Sequence, residues 1–255
     1  MAEKPLFLIT NDDGVASRGL RQLAVTAAEF GDVVVMAPDH NASGLSTSIT
    51  CNRPLRARLV EESGNIKYHS CDGTPADCVK LGLEYFCPRT PSMVLSGINF
   101  GTNASINIIY SGTMGAVLEA NLNGLPAVGF SLLNHSPEAD FEACVPTLRH
   151  IIGGVLQQPL PQGTSLNVNI PRLPAEAIKG IRICRQARAA WTDSLERRTD
   201  PIGRPYWWMT GKFVCDDKQD CSDELALAEG FVSVVPIRTD FTDYAAMAQM
   251  KHLEI

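Results

Sequence analysis

No stretch of these 255 residues approaches the run of about 20 apolar residues that a membrane span requires, so a spanning helix is excluded. The opening run, MAEKPLFLIT, turns polar at once in Asn-Asp-Asp. It has neither the apolar length nor the small-residue cleavage site of a signal peptide, and a cytoplasmic location is expected. Basic charge is in short supply: 22 Lys and Arg face 28 Asp and Glu, giving a net charge of −6 and a pI near 5.4. An acidic surface does not attract a polyanionic backbone, so long nucleic acid is not an expected partner, and neither is a membrane. The two basic runs, Arg53–Arg58 and Glu196–Arg198, are interrupted and read as solvated faces. Cys-x-x-Cys spacing and Cys/His clusters are absent, which removes the usual zinc and dithiol chemistry. In a reducing compartment Cys51, Cys71, Cys78, Cys87, Cys144, Cys184, Cys215 and Cys221 are then core or surface thiols. A Gly-x-x-x-x-Gly-Lys-Ser/Thr loop and a Gly-x-Ser-x-Gly elbow are missing too, which argues against a P-loop kinase and a serine hydrolase.

What is present is an ordinary globular composition, 45% hydrophobic and 20% charged, enough for a sizeable core. Strand-like and helix-like segments alternate through the first two thirds. Pro5–Thr10, Asp32–Ala37, Ser92–Ser96, Ala127–Ser131 and Ser165–Ile170 are short apolar runs of strand length. Leu20–Phe30 has helical spacing and stops at Gly31. Thr74-Pro75-Ala76-Asp77 is a helix start, with Thr as N-cap and Pro at the first helical position. Ser111–Leu122 is a small-residue helix. Strands separated by helices predict βαβ units and an α/β fold with a Rossmann-like, mostly parallel sheet flanked by helices. The rhythm stops near residue 186. A core over residues 1–185 is expected, followed by an aromatic-rich extension over 186–255 that belongs to the same overall domain. Phe231–Ile237 is one further strand, and Trp191, Tyr206, Trp207 and Trp208 suggest either a local core or an interface.

Three loops follow predicted parallel strands and should meet on one rim of the sheet, where α/β sites lie. They carry Asp12 and Asp13, then Ser43, then Asn99. Each alone reads equally as a turn. Together they offer two carboxylates, a hydroxyl and an amide oxygen, a donor set suited to a hard divalent cation. The expected cofactor is one divalent ion per subunit, Mg²⁺ or Mn²⁺. Ser111-Gly112-Thr113 opens a helix, whose free N–H groups either hold an anion or are simply capped by Ser111. A cation site beside an anion site suits phosphate-ester hydrolysis, with water preferred as nucleophile over an aspartyl-phosphate route through Asp12 or Asp13.

At these residues the chain resembles the SurE survival-protein family of 5'-nucleotidases. The resemblance rests on Ile9–Gly14 (ITNDDG), Ala37–Thr50 (APDHNASGLSTSIT), Gly73–Val79 (GTPADCV), Ser96–Asn103 (SGINFGTN), Tyr110–Ala116 (YSGTMGA), Leu166–Pro171 (LNVNIP) and Gly230–Pro236 (GFVSVVP). It implies metal ligation by Asp12, Asp13, Ser43 and Asn99, and a phosphate pocket lined by Asn103, Ser111, Gly112 and Thr113. It implies hydrolysis of nucleoside 5'- and 3'-monophosphates and of short polyphosphate. It also implies a homodimer or homotetramer, built through a projecting hairpin and an exchanged C-terminal segment within 186–255. Met114 departs from the family's small β-branched residue, and Asp216–Ala226 matches its acidic turn only loosely. A nucleotide-binding regulator without turnover, and a structural oligomer acting through its aromatic extension, are the competing readings.

Overall fold

A computed structural model describes residues 4–136 and 139–254; Met1–Glu3 of the opening run and Ile255 at the end of the second expected segment lie outside the described residues. The strands are β1 (Leu6–Thr10), β2 (Asp32–Pro38), β3 (Ala57–Ser63), β4 (Ile66–Cys71), β5 (Met93–Phe100), β6 (Ala127–Leu132), β7 (Ser165–Ile170), β8 (Ile181–Ile183), β9 (Ala189–Thr199), β10 (Pro205–Cys215) and β11 (Val232–Ile237). The helices are α1 (Arg18–Ala28), α2 (Pro75–Leu81), α3 (Asn107–Tyr110), α4 (Gly112–Leu122), α5 (Val145–Gln157), α6 (Asp223–Ala228) and α7 (Tyr244–Gln249).

Nine strands form one sheet in the order β3-β4-β2-β1-β5-β6-β7-β11-β8. β1, β2, β4, β5, β6 and β7 run parallel to their neighbours in this set, while β3 on β4 and β11 on β7 are antiparallel. The period-two alternation of β1 decides the layering. Phe7 and Ile9 enter a core shared with Leu20 and Leu23 of α1 and Leu148 and Ile152 of α5. Leu6 and Leu8 enter the opposite core with Val79 of α2 and Val117 and Ala120 of α4. Both faces are therefore covered, as a parallel sheet requires.

The capping signal at Thr74 is realised in full: Thr74 Oγ1 accepts from Asp77 N, and the Asp77 carboxylate accepts from Thr74 N. One sequence expectation changes. The strand expected to end at Gly97 continues to Phe100, through a register shift between Ser96 and Asn99. Within the segment 186–255, β11 lies between β7 and β8 in the main sheet. What stands apart is the hairpin β9–β10, two eleven-residue strands that pair only with each other. By register, Trp191, Leu195, Trp207, Met209 and Phe213 share one of its faces, with the Trp191 and Phe213 rings 5.6 Å apart. Met114 is fully buried with its Sδ over Gly129 of β6, where even a Cβ would crowd it, so the longer side chain is matched by a missing one.

Candidate active site

β2, β1 and β5 are adjacent and parallel, so the chain leaves all three on the same rim. After β1, Asn11 builds the turn. Its side chain accepts from Gly14 N and donates to Gly14 O and Ser17 Oγ, while Ser17 caps α1. Gly14 adopts φ +98, open to glycine, with the His40 carbonyl close by. This turn places Asp12 inward, 2% exposed, and leaves Asp13 partly exposed beside it.

Asp12 is fixed by the start of α4. Thr113 donates its N–H to Asp12 Oδ2 at 3.0 Å and its hydroxyl to Asp12 Oδ1 at 2.7 Å. A Cβ on Gly112 would lie 2.8 Å from Asp12 Cβ, so glycine is what lets the helix end approach. Asp13 accepts a longer bond from Phe100 N, 3.3 Å. Burial, and then the charge of Asp12, push the Asp13 carboxyl up to about 6, only partly opposed by that N–H. Two carboxyl groups held this close favour a cation between or beside them.

The second loop is tied to the first by Ala42 N, which donates to Asp12 O at 2.7 Å, and Ser43 follows on an exposed turn whose N–H is held by Asn41 Oδ1. Asn99 donates its Nδ2 to Gly101 O at 3.0 Å, which leaves its Oδ1 as the end available to a ligand. Among the described residues no group of three or more His, Cys, Asp or Glu is arranged to hold a metal ion. The donors present, two carboxylates with a hydroxyl and an amide oxygen, fit a hard, oxygen-seeking cation. His40, the histidine nearest the motifs in sequence, is exposed and bonded to Asp39 at 2.7 Å.

The anion side differs in detail from the sequence expectation. Ser111 is the N-cap of α4, its Oγ accepting from Met114 N, and Gly115 N bonds to Ser111 O. Thr113 N and Oγ1 are both committed to Asp12. Of the first N–H groups of α4, that of Gly112 remains for an anion, aided by the helix dipole. Thr113 therefore touches the carboxylate, where the sequence reading put it against phosphate; no local signal links residues 101 positions apart. Asn103 is buried, and its Nδ2 donates to Ser131 Oγ at 2.8 Å, with a second N–H on the same nitrogen left over. Asn167, Asn169 and Ser131, all buried beneath this loop, were not singled out from the sequence. Two Asn at alternate positions of a strand buried at every residue were the available signal.

Thr113→Val keeps shape and N–H but removes the hydroxyl. A hydrogen bond to a charged group contributes about 1.5–3 kcal/mol. The expected result is a fall in Tm of roughly 3–12 °C and, in the folded protein, a loss of roughly tenfold to a hundredfold in kcat/KM for phosphate-ester hydrolysis. A folded variant with unchanged kcat/KM would remove Thr113 from the active machinery.

Residues 7–193 match the family described as survival protein SurE. The chain is 50% identical over 242 residues to a protein of Christiangramia forsetii named 5'-nucleotidase SurE, covering 94% of this chain and 93% of that one. It is 44% identical over 253 residues to the Flavobacterium psychrophilum protein of the same name, covering 99% and 98%. Among solved structures, a SurE protein from Aquifex aeolicus superposes with a TM-score of 0.86 at 38% identity, over 98% of this chain and all of the other.

Proposed function

The chain belongs to the SurE survival-protein family, and from that membership and the site we infer that it is a 5'-nucleotidase. It hydrolyses nucleoside 5'-monophosphates to nucleoside and inorganic phosphate, and does so with a divalent metal ion. The observation that carries the metal-dependent reading is the Asp12–Asp13 pair at the end of the central strand, with Asp12 clamped by Thr113 at the head of α4. Asp12, Asp13, Ser43 and Asn99 would hold one Mg²⁺ or Mn²⁺. When bound, such an ion supplies positive charge against the phosphoryl group and lowers the pKa of water.

The chain's own residues do the rest. A carboxylate engaged by the cation and held by Thr113 is not free to attack phosphorus, so water is the nucleophile of this reading. Gly112 N–H and the dipole of α4 hold a phosphate oxygen, and the second N–H of Asn103 Nδ2 is a further donor, on the turn after β5. A regulator that only binds nucleotide has no use for two carboxylates set against a phosphate. The same reading extends to 3'-monophosphates and short polyphosphate, which offer the site the same terminal phosphate group. The test is phosphate release from a panel of nucleoside 5'- and 3'-monophosphates and short polyphosphates, wild type against Asp12→Asn. Release by wild type alone supports the assignment; wild-type protein silent on every nucleotide with Mg²⁺ and Mn²⁺ present refutes it.

The extension is read as the means of assembly into a homodimer or homotetramer in the cytoplasm. Among the described residues no helix is long and apolar enough to cross a membrane. Trp207, Trp208 and Met209 of the hairpin, and Phe241, Tyr244, Met247 and Leu253 of the C-terminal segment, are exposed apolar side chains. A cleft of about 1090 Å³ between α4 and β11, lined by Leu118, Leu122 and Ile237, is large enough to seat such a segment. The excision that tests this must spare α6, since Ser222 and Asp223 are buried against the core. Replacing Trp191–Val214 by a short linker should give a smaller particle by light scattering; an unchanged mass would assign assembly elsewhere.

A further inference from the structure

We propose that Asn169 is a positioning residue of the active site, setting the turn that presents Asn99 and Asn103; this rests on the metal-dependent nucleotidase reading. Asn169 and Asn167 lie on β7, 0% and 2% exposed, next to β6 and its buried Ser131. A buried amide without partners is costly, so the partners these side chains take reveal what they are for.

They take the turn after β5. Asn169 Oδ1 accepts from Asn103 N at 2.8 Å and from Thr102 Oγ1 at 3.3 Å. Asn169 Nδ2 donates to Asn167 Oδ1 at 2.9 Å, and Asn167 Nδ2 donates to Asn103 O at 2.8 Å. Ser131 Oγ receives Asn103 Nδ2. The N–H, the C=O and the side-chain nitrogen of Asn103 are thus each held by a different side chain of β6 or β7. Asn169 also fixes the direction of the Asn167 amide, because Asn167 presents its oxygen to Asn169 and its nitrogen to Asn103.

The same turn reaches the metal side. Thr102 is followed by Ala104 N bonded to Thr102 Oγ1, and preceded by Gly101, whose O accepts Asn99 Nδ2 and whose N bonds to Leu132 O. Downstream, Ser105 N is held by the buried Asp223 carboxylate, so the turn cannot shift as a unit to make good a lost contact. Removing the Asn169 side chain leaves Asn103 N and Asn167 Oδ1 without these partners at once, and takes from the Thr102 hydroxyl its acceptor. The turn loosens between Asn99, which would present oxygen to the cation, and Asn103, which would present N–H to the phosphate.

The test uses the full-length chain with Asn169→Ala and the milder Thr102→Val, each measured for Tm, for Mn²⁺ binding in the absence of substrate, and for kcat and KM separately. The expected result for folded Asn169→Ala is Mn²⁺ binding weakened by roughly tenfold and KM raised by at least as much. Thr102→Val should move both in the same direction by less. Asn169→Asp, which retains the acceptor toward Asn103 N and Thr102, should recover part of the Mn²⁺ affinity. A merely structural role would lower Tm while leaving Mn²⁺ affinity and KM of the folded fraction at wild-type values, and that outcome overturns the proposal. If Asn169→Ala does not fold, Thr102→Val decides: unchanged Mn²⁺ affinity and KM there also overturn it. Wild-type protein that neither binds Mn²⁺ nor releases phosphate would instead refute the nucleotidase reading itself, a result distinguishable from failure of the Asn169 role alone.

Discussion

EDTA is expected to abolish phosphate release and to lower the melting temperature, with Mg²⁺ or Mn²⁺ restoring both. The reason lies in the turn after β1. Asp12 is buried and cannot move away from Asp13, because Thr113 holds both of its oxygens. Asp13 stands beside it, its carboxyl pushed up to about 6 by burial and by the Asp12 charge. On the metal-dependent reading, a divalent ion would offset this repulsion and bind the folded state alone. At a hundredfold excess over Kd such binding adds about 2.7 kcal/mol. For a chain of this size that corresponds to roughly 5–10 °C in Tm. Asp12→Asn should lose activity by a factor of about a thousand or more, on the scale of removing an essential electrostatic group. It should still fold: the amide oxygen can accept from Thr113 N, and the amide nitrogen can donate to Thr113 Oγ1, since a hydroxyl both donates and accepts. With the repulsion relieved, its Tm should be no lower than that of metal-free wild type. Full phosphatase activity in metal-free protein would dismantle the four-ligand site and the chemistry built on it.

The parts of this site that were legible from the sequence are those whose cause is local. Pro5–Thr10 reads as a strand because a buried parallel strand is a short apolar run, and Asn11-Asp12-Asp13-Gly14 reads as a turn because those residue types make turns. Thr74 and Asp77 announce their helix because both halves of a capping box lie within four residues. Adjacency of β2, β1 and β5 then follows from βαβ topology, and with it the meeting of the loops. What escaped has its cause far away in sequence. Strand β3 pairs on one edge and is mostly exposed, so Ala57–Ser63 carries no apolar signature. Thr113 finds its partner across the sheet in Asp12, and Asn169 finds its partners in Thr102 and Asn103. The return of β11 into the sheet after the hairpin is likewise a tertiary fact, invisible to a composition change near residue 186. Gly97 is the instructive case between. A glycine inside an apolar run reads as a break, yet here it is the residue that lets the strand continue.

Gly97→Ala is therefore expected to be among the most damaging single substitutions in the core. From Ser96 to Asn99, β5 advances three residues while β6 advances two, from Gly129 to Ser131. This bulge brings Asn99 opposite Ser131 and so toward the rim. Gly97 sits there at φ +128, a region L side chains rarely adopt. An added Cβ would lie 2.3 Å from Phe130 O, a backbone carbonyl of β6, and Phe130 is fully buried. Neither strand can give way: β6 is paired on its other side to β7, and Ile98 on the bulge is itself fully buried. The unfavourable φ alone costs about 1–3 kcal/mol. With the overlap added, the total should be roughly 3–5 kcal/mol, a fall in Tm on the order of 10 °C. Gly124→Ala is the control. It too has positive φ, +74, but nothing lies within 4 Å of its Cβ position. It should cost only about 1–2 kcal/mol. The two variants separate strain at the backbone from overlap with β6, and they differ again at the site. Whatever fraction of Gly97→Ala folds should bind Mn²⁺ poorly, because Asn99 is displaced, whereas Gly124→Ala should bind it like wild type. If Gly97→Ala melts with Gly124→Ala and keeps wild-type Mn²⁺ affinity, the bulge does not set the position of Asn99.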